Sequence, residues 1–198
     1  MRDKRQRLWL ALARRGNEDA FRRLYGELFH PVAAYVHGRV NNPQDAEDVT
    51  AQVFRNFLRH LDRYDSDKGS VMTWTLTMAR NAVIDQLRRA RPQAVDVDEL
   101  ADQLAGPHTG PLNRLVRDEE LQAISRHLAR QPADIREMFA LRFEQGLRVR
   151  EVAEVMGLSP DAAKQRFART IRKLQLQLRD EDKGTGQSKG ESPCAATD

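Results

Sequence analysis

The chain has 198 residues, 31% of them charged and 40% hydrophobic, with a formal net charge of +4 and a pI of about 9.5. This is enough for one or two domains with modest cores, and it excludes a chain disordered throughout. The single cysteine, Cys194, lies near the end, which excludes an internal disulfide framework or a Cys-rich zinc site and fits a reducing cytoplasm.

The first residues, M-R-D-K-R-Q-R-L-W-L-A-L-A-R-R, imitate a secretory signal. The apolar run Leu8–Ala13 is too short for one, and Arg14 and Arg15 follow it directly. An amphipathic helix is expected instead. No run reaches membrane-spanning length, so no membrane insertion is expected. Next, Ala20, Phe21, Leu24, Tyr25, Leu28, Val32, Tyr35, Val36 and Val40 recur at three- and four-residue steps. This is helical periodicity, predicted to kink or restart at Pro31. Asn42 and Pro43 form a cap and first-turn pair that starts a helix over about 44–61. Its apolar face is Ala46, Val49, Val53, Phe54, Phe57, Leu58 and Leu61. Asp45, Glu47 and Asp48 suit its N-terminus, and could equally form a contact surface for a basic partner.

A polar loop at 63–69 leads into Ser70–Arg91, which has neither Gly nor Pro and reads as one helix. Leu76, Ala79, Val83 and Leu87 should face inward. Trp74, Met78, Asn81, Asp85 and Arg88 should face outward, flanked by Arg80, Arg89 and Arg91. Such a face is either plainly solvated or suited to nucleic acid, where aromatics stack on bases, Asn bonds base edges and Arg holds phosphate.

After Pro92 the character changes. Asp96, Asp98, Glu99 and Asp102 occur without a base, punctuated by Gly106-Pro107 and Gly110-Pro111; a linker is expected. A second helical module follows, marked by Leu115, Leu121, Ile124 and Leu128, then Ile135, Met138, Phe139 and Phe143, then Val149, Val152, Ala153 and Met156. Gly157-Leu158-Ser159-Pro160 makes a tight turn into a last helix with Ala163, Phe167, Ile171, Leu174 and Leu178 inward. A short helix, a Gly-containing turn and a basic helix make a helix-turn-helix pattern. The segment from Glu181 to Asp198 is polar and expected to be disordered. The fold class is therefore all-α: two small helical bundles joined by a flexible acidic linker, the second containing the helix-turn-helix. No phosphate-binding Gly loop, nucleophile–base pair or metal cluster is readable from spacing; His30 and His37 lack a third ligand. No catalytic residue, metal, cofactor or small-molecule substrate is expected.

The motifs A-F-R-R-L-Y at 20–25, D-A-E-D-V at 45–49, H-L-D-R-Y at 60–64 and W-T-L-T-M-A-R-N-A-V-I-D-Q-L-R-R at 74–89 resemble domain two of bacterial RNA polymerase sigma factors of the extracytoplasmic-function (ECF) class. R-E-M-F-A-L-R-F-E-Q-G-L-R-V-R-E-V-A-E-V-M-G-L-S at 136–159 with K-Q-R-F-A-R at 164–169 resembles domain four. The resemblance covers about residues 18 to 180. It implies domain two at 1–91, a linker at 92–113 that threads into the polymerase cleft, domain four at 114–180 and a tail at 181–198. It implies core polymerase binding through Asp45, Glu47, Asp48, Gln52 and Asn56. Recognition and melting of the minus-ten element would use Tyr64, Asp67, Lys68, Trp74, Arg80, Asn81, Asp85, Arg88 and Arg89. Reading of the minus-thirty-five duplex would use Lys164, Gln165, Arg166, Ala168, Arg169 and Arg172. The implied partners are core RNA polymerase and promoter DNA, with an anti-sigma protein as a further candidate. The implied activity is not enzymatic, and the location is cytoplasmic. Two departures stand out: Val49-Thr50-Ala51-Gln52 replaces the family's usual L-V-Q-E, and Asp161-Ala162-Ala163-Lys164 its usual G-T-V-K. The competing expectation is a stand-alone helix-turn-helix regulator with an N-terminal sensing or dimerisation bundle.

Overall fold

The computed structural model describes the backbone of residues 2–90 and 119–187. The acidic linker expected at 92–113, Leu115, and the tail beyond Gln187 with Cys194 lie outside the described residues. Every regular element among the described residues is helical: α1 (Arg2–Ala13), α2 (Glu18–His37), α3 (Pro43–Arg59), a 3-10 turn (Leu61–Arg63), α4 (Val71–Ala90), α5 (Glu119–Ala129), α6 (Ala133–Phe143), α7 (Val149–Met156) and α8 (Pro160–Gln187). Helix α8 thus runs into the stretch read as tail.

Capping follows the local chemistry. Asn17 Oδ1 accepts from the Ala20 amide at 2.9 Å to start α2. Asn42 Oδ1 accepts from Gln44 and Asp45 at 2.8 and 3.2 Å, with Pro43 in the first turn of α3. These are the orphan donors that a helix start leaves open.

Pro31 does not break its helix; α2 runs through it without interruption. Proline lacks the amide that would bond the carbonyl four residues back. That carbonyl belongs to Glu27, and it accepts instead from the Arg2 guanidinium at 3.2 Å. The Glu27 side chain draws in the same helix, pairing with Arg5 and accepting from the buried Gln6 amide. Helix α1 is therefore fastened to α2 where proline has weakened it.

Helices α1 to α4 form one bundle in which α4 touches α1, α2 and α3. Leu24, Leu28, Val32, Val53, Phe57, Leu76, Ala79 and Val83 fill its centre. In the second bundle α8 lies across α5, α6 and α7, and Ala163, Phe167, Thr170 and Leu174 point inward. That four-and-three spacing leaves Ile171 beside the seam, 41% exposed, where the sequence had placed it in the core. Phe143, at the end of α6, is likewise 57% exposed. The two bundles share one continuous core, because α4 also packs on α7.

Pro31→Ala restores the missing backbone bond and removes the ring's clash, so it should stabilise the fold by about 1–3 kcal/mol. Urea denaturation measures this; a lower midpoint would mean that the half-buried ring contributes more by packing than it costs.

Candidate nucleic-acid interface

Ser70 caps α4: its Oγ accepts from the Thr73 amide at 3.1 Å and lies 2.7 Å from Thr73 Oγ1. The Thr75 hydroxyl donates to the Val71 carbonyl, and that of Thr77 to the Thr73 carbonyl. These internal bonds let a stretch rich in hydroxyls be buried without orphaned polar atoms. The first turns of α4 are accordingly covered nearly all round, including Val71, Met72, Thr73, Thr75 and Leu76.

The sequence reading placed Trp74 outward. It is half-buried, 5.3 Å from the Phe57 ring and 5.4 Å from the Tyr64 ring, centre to centre. Met78 also packs against the core. Tyr64 is buried, and its hydroxyl donates to the Gly69 carbonyl at 2.9 Å. Burial pushes that hydroxyl above the ordinary tyrosine range. The two aromatics therefore shape the base of the loop rather than standing free to stack. Asp65 turns the loop by accepting from the Asp67 amide; Asp67 and Lys68 are exposed at its tip. Of the α4 residues, Asn81, Asp85, Arg88 and Arg89 face solvent.

Arg14, which the sequence did not single out, holds the loop's approach. Its guanidinium donates to the Leu61 carbonyl at 2.8 and 2.6 Å and to the Tyr64 carbonyl at 2.7 Å, and sits over the Tyr64 ring.

Arg80 is only 20% exposed at its side chain. Its Nε and Nη2 donate to the carboxylate of Glu137 on α6, at 3.1 and 3.4 Å. Glu137 is 2% exposed and also accepts from the Tyr35 hydroxyl at 2.7 Å. Burial first, and the Glu137 charge second, push the Tyr35 hydroxyl far above the ordinary range, so it stays a donor. Breaking a buried ion pair by removing one partner typically costs about 3–5 kcal/mol. Nearer the start of α4, Thr73 Oγ1 donates to Glu151 Oε1 of α7 at 3.3 Å. The Glu154 carboxylate abuts Gly69, where a Cβ would stand 2.5 Å from either oxygen. Burial, then the neighbouring Glu151, raise the Glu154 carboxyl above the usual carboxylate range.

The helix-turn-helix is built as its residues predict. Gly157 takes a left-handed conformation (φ 68°, ψ 30°) that closes α7. Ser159 Oγ then accepts from the Ala162 amide to open α8. Ala153 and Ala163 are buried, which lets the two helices approach. Lys164, Gln165, Ala168, Arg169 and Arg172 are exposed together on α8. Arg166 is turned away: it is half-buried and bonds Asp134 of α6 at 2.6 Å. It braces α8 against α6 instead of joining the outward set.

On α3, Glu47 and Asp48 are exposed, and Asp45, Gln52 and Asn56 half-buried. Leu58 on the same helix is 49% exposed. No group of three or more metal-ligating side chains occurs among the described residues.

Glu137, Glu151 and Glu154 were not legible as partners of α4. The only signal was Glu137 itself, an acid directly before Met138-Phe139 in an apolar run. Its partners are 57 and 102 residues away in the chain.

Two family models match the chain: Sigma-70 region 2 at residues 24–93 and Sigma-70, region 4 at residues 121–174. ECF RNA polymerase sigma factor BldN of Streptomyces coelicolor is 33% identical over 173 residues, which are 85% of this chain and 64% of BldN. ECF RNA polymerase sigma factor RpoE of Cereibacter sphaeroides is 29% identical over 185 residues, 90% of this chain and 99% of RpoE. Among solved structures, CnrH in complex with the cytosolic domain of CnrY aligns over 89% of this chain and 98% of CnrH, with a TM-score of 0.58 and 25% identity. With both regions matched in order along one chain, and joined as two helical modules, the protein belongs to the sigma-70 family, in its extracytoplasmic-function branch.

Proposed function

We propose that the protein is an alternative sigma factor that binds bacterial core RNA polymerase in the cytoplasm and directs promoter-specific initiation. It catalyses no reaction of its own; the polymerase supplies the chemistry. The observation that carries this reading is the pairing, in one chain, of the exposed basic face of α8 with a second, separate polar face at Asn81, Asp85, Arg88 and Arg89. A stand-alone regulator needs only the first. Run-off transcription with core polymerase on the protein's own upstream region tests the reading. Tight binding of the duplex in a gel shift without polymerase, and no run-off product with it, would favour the regulator instead.

In this reading the α3 face with Asp45, Glu47, Asp48, Gln52 and Asn56 meets the polymerase. The loop carrying Asp67 and Lys68, together with Arg80, Asn81, Asp85, Arg88 and Arg89, meets the opened minus-ten strand. Tyr64 and Trp74 set that loop's shape. An anti-sigma protein is a further proposed partner: CnrH was solved with the cytosolic domain of CnrY.

Asn81 is the exposed amide of this set and can bond a base edge once stacking is lost. Asn81→Ala should slow open-complex formation, read by permanganate footprinting, and leave the affinity for core polymerase unchanged. Lost polymerase affinity would put Asn81 in the protein interface.

On α8 the roles should divide. Gln165 and Arg169 suit bidentate base contacts, each worth about 1–3 kcal/mol of discrimination. Lys164 and Arg172 suit phosphates. Arg169→Ala should relax preference at one or two minus-thirty-five positions. Arg172→Ala should weaken all sequences alike and lower the salt dependence. A promoter-library selection on both variants separates the two outcomes.

A further inference from the structure

We infer that a cavity between α1 and the α6–α7 turn binds a phosphorylated small molecule of nucleotide size. The inference is independent of the sigma-factor reading and of the surfaces proposed to meet DNA.

The cavity has a volume of about 360 Å³. That lies within the range of small-molecule sites and exceeds what a single phosphate fills. Arg2 and Arg7 of α1 line it, with Ser70 and Met72 from the start of α4. The left-handed Gly146 (φ 70°) ends α6 and turns the chain toward α7. Leu147, Arg148 and Arg150 complete the lining from that side.

Four guanidiniums thus converge, those of Arg2, Arg7, Arg148 and Arg150, against two carboxylates, Asp3 and Glu151. Both acids are engaged by the protein itself. Asp3 Oδ2 lies 2.9 Å from Arg7 Nε. Glu151 accepts from the Arg148 amide at 2.8 Å and from the Thr73 hydroxyl at 3.3 Å. Arg148 and Arg150 are exposed, and neither guanidinium has an ion pair among the described residues. A concave site with a surplus of one sign of charge draws counter-ions. Helices α4 and α7 both begin at this lining, at Ser70 and Arg148, and their N-termini add partial positive charge.

Guanidinium forks bond phosphate oxygens in pairs, so the arginines select phosphate over a simple halide. Phosphate alone would leave the apolar part of the wall, Met72 and Leu147, facing water. A sugar and base would cover it, with Ser70 and Gln145 offering hydrogen bonds to hydroxyls or a base edge. The chemistry therefore fits a nucleoside phosphate.

The test titrates the full-length protein by isothermal calorimetry with ADP, UDP, inorganic pyrophosphate and adenosine. At least one of the two nucleotides should bind saturably, with pyrophosphate about tenfold weaker and adenosine showing no binding. Arg148→Gln/Arg150→Gln should weaken the nucleotide by about tenfold or more, the share of one charge-assisted hydrogen bond. Arg22→Gln/Arg23→Gln, the same change in charge on α2, should bind as wild type. All four positions are exposed, so these variants are expected to fold, which a thermal melt checks. Saturable binding of neither nucleotide overturns the inference. So does unchanged affinity in Arg148→Gln/Arg150→Gln, or an equal loss in the α2 variant. Pyrophosphate binding as tightly as the nucleotide would reduce the site to a bare anion cradle and overturn the assigned ligand class. Binding of a single-stranded thymidine 12-mer that needs Arg148 and Arg150, with no nucleotide binding, would give these arginines to a nucleic-acid backbone and overturn it as well.

Discussion

A buried carboxylate has to be neutralised by its neighbours, and among the described residues Glu137 finds its hydrogen-bonding partners in the other module. Tyr35 from α2 and Arg80 from α4 converge on it, 102 and 57 residues away along the chain. Removing Glu137 and Arg80 from water is costly, and their attraction offsets that cost only when both are in place with the Tyr35 hydroxyl as third partner. The union of the two bundles is thus set by polar geometry as much as by the apolar core that runs through it. Arg39, stacked 3.7 Å over the Tyr35 ring and donating to the Tyr35 carbonyl, holds that tyrosine in the orientation the carboxylate needs.

The same junction explains how a helix with so many hydroxyls can be central to the fold. In the first half of α4 each threonine bonds a helix carbonyl, a cap or an acid of α7. Burial then costs little, and α4 can pack on α1, α2, α3 and α7 together. Its second half, from Asn81 onward, extends past the contact and keeps its polar groups in water. One helix thus has a half buried among its neighbours and a half whose polar groups face solvent.

The module surfaces differ in availability. Glu47 and Asp48 of α3 and the outward side chains of α8 are exposed, whereas Arg80 and the start of α4 are covered.

Much of the fold was determined by the sequence alone, through local chemistry. Asn42 and Pro43 start a helix, and Gly157 with Ser159 makes the turn of the helix-turn-helix, because capping bonds and left-handed backbone depend on residues a few positions apart. Periodicity likewise separates most buried from exposed positions. The matches to both sigma regions follow from the same motifs. The tertiary structure alone decided the rest. Pro31 sits inside an unbroken helix because Arg2 of another helix serves the carbonyl it frees. Trp74 is half-buried because Phe57 and Tyr64 meet it. Arg166 faces inward because Asp134 is there. Arg80 is withdrawn from solvent because Glu137 lies opposite. Each of these turns on a partner distant in sequence, and helical spacing specifies which face a residue occupies but not what the fold brings against that face.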